Sequence, residues 1–398
     1  MNIYLDNAAT TAIDSEVLNV MMPYLYRYYG NPSSNHSLGR KVHEAIETSR
    51  RTIADILDVL PEEIFFTSGA TEANNWAISS SLEAYRIKHI ITSAIEHKSI
   101  LETFTEHFYK NKIKLSFVNL DRKGNINLNH LEQLLVENPR SLVSLMHVNN
   151  EIGNITNIEE VSELAKIYRG IIHSDIVQSL GKFPVQLNSN GVDFAVGSGH
   201  KIHGPKGVGF LFARKRTNLH SLLHGGGQER GYRGGTENVA SIVGFAKALE
   251  IANSNIEKVH KHNQTLKERL ISGLKRLDLE EFEFNGESES LSKSVPNILN
   301  ARFPVLPNNR LLQNILDEQG IHVSSGSACL NLSKGGSHVI SALYPKSDGE
   351  NVRFSFSKYN SLFEIDTAVR AIAKVFKQEK KRFLVKDLHT VQSESVVY

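Results

Sequence analysis

The chain has 398 residues, 40% of them hydrophobic and 22% charged, an ordinary globular composition with length enough for two domains around substantial cores. Lys and Arg number 45 against 43 Asp and Glu, a net charge of +2, so no basic field is available to bind nucleic-acid phosphates and direct nucleic-acid binding is not expected. No basic stretch followed by an apolar one opens the sequence and no run reaches about 18 apolar residues, so a cytoplasmic protein without a membrane partner is expected.

Short apolar runs at Ile64–Thr67, Ile90–Ser93, Leu115–Val118, Leu142–His147, Ile171–Ser174, Phe194–Val196 and Val208–Ala213 alternate with helical patterns. Leu101, Phe104 and Phe108 recur at helical spacing, as do Ile158, Val161, Leu164, Ala165 and Tyr168. This alternation predicts an α/β fold: a large domain, residues 15–255, with a mainly parallel seven-stranded sheet and crossover helices. Beyond it Ile256–Leu277 reads as a long charged helix, Asn285–Ser290 as a loop, and Ser294–Leu299 and Asn351–Ser357 as strands. Ile365, Val369, Ile372 and Phe376 share one face of a last helix. Residues 1–14 and 256–398 are expected to form a smaller α+β domain.

Several polar residues fall just past strand ends, where open α/β sheets gather ligands. Lys201, in Ser198-Gly199-His200-Lys201, can reach a crevice. A lysine desolvated beside another cation, for which Lys206 is the candidate, has its pKa lowered enough to form a Schiff base. Asp175 ends the run Ile171–Ser174; it suits either a pyridine nitrogen that must stay protonated or the cap of the segment at Gln178. Thr67-Ser68-Gly69-Ala70-Thr71-Glu72 joins a strand to a helix start that offers amides to a phosphate, or makes an ordinary cap. His97 follows a strand and suits ring stacking or proton transfer. His200 and His203 lack further ligands at metal spacing, so no metal is assigned.

The single cysteine, Cys329, can form neither an internal disulfide nor a multi-thiolate site. Its small-residue surroundings, about residues 324–337, suit a mobile thiol that collects a group in one place and delivers it in another. Arg353, a lone cation in a strand pattern, suits a two-contact clamp on a substrate carboxylate or a structural ion pair.

Together these segments resemble the cysteine desulfurases of the NifS/IscS kind, class V enzymes of the fold-type I pyridoxal-phosphate transferases. The likeness runs from Tyr4-Leu5-Asp6-Asn7-Ala8-Ala9-Thr10-Thr11 through Thr67–Asn75, Val148-Asn149-Asn150-Glu151-Ile152-Gly153, Gly225–Glu229 and Gly235-Thr236-Glu237-Asn238 to Ser325-Gly326-Ser327-Ala328-Cys329. It implies pyridoxal phosphate as cofactor, with Lys201 as the Schiff-base lysine, Asp175 at the pyridine nitrogen and Gln178 at the ring hydroxyl. His97 would stack on one ring face and Val177 pack on the other. Ala70, Thr71, Ser198 and His200 are implied at the phosphate, joined by Thr236 from a second subunit of a homodimer. Asn150 and Arg353 would hold the carboxylate of L-cysteine, and Cys329 would accept its sulfur for an iron–sulfur scaffold protein or a thiolation enzyme. A selenocysteine lyase, another class V enzyme or a non-catalytic sulfur-transfer subunit are the alternatives. Ile176, Asn154-Ile155-Thr156-Asn157 and Leu330-Asn331-Leu332 depart from the usual family residues; none removes a chemical group.

Overall fold

The computed structural model describes residues 2–306, 310–325, 336–345 and 349–377. After a short strand β1 (Ile3–Tyr4) come β2 (Ile64–Thr67), β3 (His89–Thr92), β4 (Lys114–Phe117), β5 (Leu142–Ser144), β6 (Ile171–Asp175), β7 (Phe194–Ser198) and β8 (Gly209–Ala213). These last seven form one sheet in the order β2-β8-β7-β6-β5-β3-β4. Strand β8 runs antiparallel to β2 and β7, and every other pairing is parallel.

The central strands are apolar throughout because both faces are covered. In β7, Phe194 and Val196 join Trp76 and Ala77 of helix Ala70–Ala84 on one face. Ala195 turns to the other, where Ile242 and Phe245 of helix Val239–Ser254 pack with Val17 and Ile53 of helices Ser15–Tyr26 and Ser37–Leu57.

A second core surrounds a smaller sheet made of β9 (Glu283–Phe284), β10 (Ile298–Phe303) and β12 (Glu350–Ser355), while β11 (Ile321–His322) pairs with β1. Leu266, Leu270 and Leu274 of helix Ile256–Lys275 pack there on Leu299, Phe303 and Phe354. Ile365 and Ile372, on a helix over 362–377, close it. The strand expected at Ser294–Leu299 begins only at Ile298. Pro296 has no amide hydrogen to give a ladder, and the Val295 amide is already bonded to the Gly153 carbonyl at 2.9 Å.

The N-terminal segment ties the two sheets together. The Leu5 amide bonds to the His322 carbonyl (2.9 Å), the Ala8 amide to Ser355 Oγ (2.8 Å) and the Thr11 amide to the His200 carbonyl (2.9 Å). No helix among the described residues is long and apolar enough to cross a membrane.

The chain leaves β3 for β4 toward one edge of the large sheet and β5 for β6 toward the other. Such a reversal opens a crevice beyond the carboxyl ends of the strands.

Candidate active site

A cavity of about 540 Å³ occupies that crevice, within the usual range of cofactor and small-molecule sites. Ala70, Thr71, His97, Asn150, Asp175, Val177, Gln178, Ser198, His200 and Lys201 all line it, and Arg353 of β12 joins them from the smaller sheet. Thr236 is exposed and lies outside this lining. Cys329 lies outside the described residues.

Asp175, at the end of β6, is held through both oxygens. Oδ1 accepts from the Val177 amide (2.9 Å), so the turn-capping role is present. Oδ2 accepts from Asn74 Nδ2 (3.0 Å). Asn74 Oδ1 in turn can only accept, so His173 Nε2, 3.1 Å away, donates to it. That leaves His173 Nδ1 to accept from Ser144 Oγ at 2.8 Å. Burial pushes the His173 imidazole down to about 3, which keeps the ring neutral and the direction of the chain fixed. Ser144, His173 and Asn74 are fully buried, so the chain is rigid second support for a carboxylate at the cavity wall.

His97 caps helix Lys98–Asn111, its Nδ1 accepting from the Ser99 amide at 3.1 Å. The neutral ring therefore carries its proton on Nε2. Burial pulls the ring below the ordinary histidine value; Asp175 opposes this and Lys201 and His338 add to it.

Lys201 closes a short turn, Gly199–Lys201, directly after β7. Its Nζ donates to the carbonyls of Ala8 and Ala9, each at 2.7 Å, which brings the N-terminal segment across the site. Lys206 also lines the cavity, and the structure adds Lys182, whose ammonium is pushed down to about 7 by burial, then by Lys201 and Arg353. His200 is pushed down to about 4, chiefly by burial, with Lys201, Lys206 and Lys182 adding.

Helix Ala70–Ala84 starts at Gly69, whose φ of 156° and ψ of 177° only glycine adopts readily, and no side chain caps it. Its first-turn amides and positive dipole end thus suit an anion. Arg353 is buried: Nη1 donates to the Asn150 carbonyl (2.8 Å) and Nη2 to Asp6 Oδ1 (2.7 Å). The ion pair offered by the sequence is therefore made, yet Nε has no partner among the described residues.

Sequence reasoning did not assign Asn74, Lys182, Glu96, Glu151 or His338. Ser337 Oγ donates to Glu151 Oε2, and His338 Nε2 to the Glu96 carbonyl at 2.8 Å. The Ser324 and Arg353 backbones exchange two bonds, of 2.6 and 3.2 Å. Both described flanks of the segment 326–335 are thereby fixed at the cavity wall.

Glu96 is buried; its Oε1 accepts from Ser93 Oγ (2.7 Å) and the Met146 amide (3.1 Å), and burial pushes its carboxyl from 4.5 up to about 8. The native protein thus keeps a proton that the unfolded chain releases. Its stabilising contribution is complete below the unfolded value of 4.5 and is lost as pH rises through about 8, on the order of 5 kcal/mol in all. Glu96→Gln retains the acceptor oxygen and removes the titration. Its stability relative to wild type, from urea midpoints, should therefore rise between about pH 5 and pH 8; parallel curves would contradict this.

Two departures from the family pattern are accommodated. Ile176 is buried in the large core, and Asn154 donates to the Lys123 carbonyl (2.7 Å) and accepts from the Glu287 amide (2.9 Å).

The donor set fits pyridoxal phosphate: an amine for its carbonyl, a carboxylate for its ring nitrogen, and uncapped amides with Ser198 and His200 for its phosphate. The family model for class-V aminotransferases matches residues 3–367. Cysteine desulfurase IscS of Dictyoglomus turgidum is 39% identical over 393 residues, covering 95% of this chain and 98% of its own. The solved structure of a NifS-like protein superposes with a TM-score of 0.86 at 38% identity, over 95% of this chain and 100% of that one. SspA in complex with cysteine reaches 0.77 at 30% identity, over 90% and 100%. The chain belongs to the class-V aminotransferase family and, within it, to the pyridoxal-phosphate-dependent cysteine desulfurases of the IscS/NifS kind, built on fold type I.

Proposed function

We propose that the protein converts L-cysteine to L-alanine and takes the sulfur on Cys329 as a persulfide. The observation that carries this reading is the cavity itself, where the Lys201 amine and the doubly held Asp175 carboxylate meet between two anchored flanks of the cysteine segment. Pyridoxal phosphate, once bound, supplies the electron sink that lets charge develop on the substrate carbons.

Lys201 would hold the cofactor through Nζ, and its amine and His97 are the groups placed to move a proton at the substrate carbons. Asp175 would face the ring nitrogen, Gln178 the ring oxygen, and Val177 and His97 the two ring faces. Ala70, Thr71, Ser198 and His200 would hold the phosphate. Asn150 and Arg353 take the substrate carboxylate, for which Arg353 Nε is an N–H still without a partner among the described residues. The Cys329 thiolate attacks the substrate sulfur, the carbon–sulfur bond breaks with its electron pair left on carbon, and a proton delivered there gives alanine. Cys329 is four positions past Ser325, a reach of at most about 14 Å, which supports its access to the cavity.

Residues 15–255 form the large domain and residues 1–14 with 256–398 the smaller, supported by their separate cores. The protein acts in the cytoplasm as a homodimer, Thr236 completing the partner's phosphate site. Helix Ser15–Tyr26 supports this by exposing Leu18, Met22, Leu25 and Tyr26 along one side. The sulfur passes to an iron–sulfur scaffold protein or a thiolation enzyme.

Protein loaded with pyridoxal phosphate should show a borohydride-sensitive visible band and release alanine from L-cysteine; absence of either would overturn the assignment. Asp175→Asn keeps the shape but loses the charge opposite the ring nitrogen, so alanine formation should fall about 10³-fold. A rise in KM alone, with kcat unchanged, would contradict that role.

A further inference from the structure

Gln178 is held from both ends by groups of opposite character. Lys182 Nζ donates to its Oε1, while its Nε2 donates to the Ala8 carbonyl at 2.9 Å, the same carbonyl that accepts from Lys201 Nζ at 2.7 Å. An amide can be turned end for end at little cost in shape, but an ammonium has only hydrogens to give. While Lys182 is charged, the Gln178 oxygen must face it and the NH₂ must face the cavity side. One hydrogen of that NH₂ meets Ala8; the second is available to an acceptor in the cavity.

Lys182 is placed for this by the turn before it. Gly181 has φ of +66°, and a Cβ there would come within 2.8 Å of Ala252 Cβ. The Lys182 side chain then lies in a small cavity of about 60 Å³ behind Lys201. It takes part in none of the ion pairs among the described residues. The charged and titratable groups around it are Lys201, Arg353, His200, His203, Lys358 and Asp14. Asp14, the one carboxylate of these, is already engaged by Lys358 and by Tyr359 Oη at 2.7 Å.

We infer that Lys182 is a positioning residue for the cofactor: its ammonium orients Gln178 as a donor to the ring oxygen and sets a second positive charge behind the Lys201 linkage. This rests on the reading of the larger cavity as the pyridoxal-phosphate site. A neutral amine at 182 can accept as well as donate, so the orientation is secure only while Lys182 is charged; with burial holding it at about 7, that control falls near neutral pH.

The test is the pH titration of the visible band in protein loaded with pyridoxal phosphate, comparing wild type with Lys182→Met and Lys182→Arg. Losing the charge, and the donor hydrogen bond that competes for the ring oxygen, both favour a protonated linkage. The Lys182→Met midpoint should therefore rise by ~1 pH unit, whereas Lys182→Arg, charged throughout, should stay at or below wild type. Lys182→Ala reports the same shift if the methionine variant does not fold. A midpoint common to wild type and the neutral variants, or an equal shift in Lys182→Arg, would overturn the inference while leaving the cofactor site intact. A wild-type protein with no band would overturn the cofactor reading and this inference with it.

Discussion

Lys201→Ala should fold, lose the borohydride-sensitive band and lose alanine formation by on the order of 10³-fold or more. The side chain leaves a turn whose backbone is held independently, by bonds from the Ile202 and Gly204 amides to the Gly199 carbonyl at 3.1 and 3.0 Å. What disappears is the Nζ that reaches the Ala8 and Ala9 carbonyls, hydrogen bonds worth about 1 kcal/mol each. The chemical loss is far larger than the structural one, because none of the other cations can replace a covalent amine. Lys182 and Lys206 stand behind and beside the site, so a band that survived in Lys201→Ala, with the label recovered on another lysine, would contradict the assignment.

Cys329→Ala should separate the two halves of the reaction. The groups proposed for the cofactor, Asp175, His97 and Lys201, are each held by hydrogen bonds among the described residues, so the visible band and its response to L-cysteine should remain. Alanine formation should fall on the order of 10³-fold, since no other thiol exists in the chain to take the sulfur. Alanine released by this variant at the wild-type rate would show that the thiol is not the sulfur acceptor, and would favour a lyase that expels its product directly.

The strands and the residues just beyond them were legible in the sequence for one reason. A parallel strand covered on both faces must be apolar throughout, so Phe194–Val196 stood out, and the polar residues that follow such a run, here Ser198 to Lys201, fall at the edge where ligands gather. Helix Val239–Ser254 offered no such signal. It packs between the sheet and two other helices, with Ile242, Phe245, Ala246 and Leu249 all buried, and its polar side, Lys247, Glu250 and Ser254, is confined to the second half, too short a stripe to set a clear period.

The supporting residues were hidden for a different reason: their partners are distant in the chain. Asn74 reaches Asp175 across 101 positions, and Ser337 reaches Glu151 across 186. Neither pair has a spacing that a local pattern can reveal. Lys182 is four residues from Gln178 and lies in the named neighbourhood, yet only the turn at Gly181 and the position of the N-terminal segment direct it toward the back of Lys201. Lys206, the neighbour expected from sequence proximity, lines the same cavity as Lys201 and, with Lys201 and Lys182, lowers His200.

Sulfur capture is tested most directly by incubating the loaded protein with L-cysteine and measuring the mass of the peptide that contains Cys329. A gain of one sulfur atom on that peptide, removed by a reducing thiol and formed in step with alanine, is the expected result. Alanine formed with no sulfur adduct on Cys329 would contradict it.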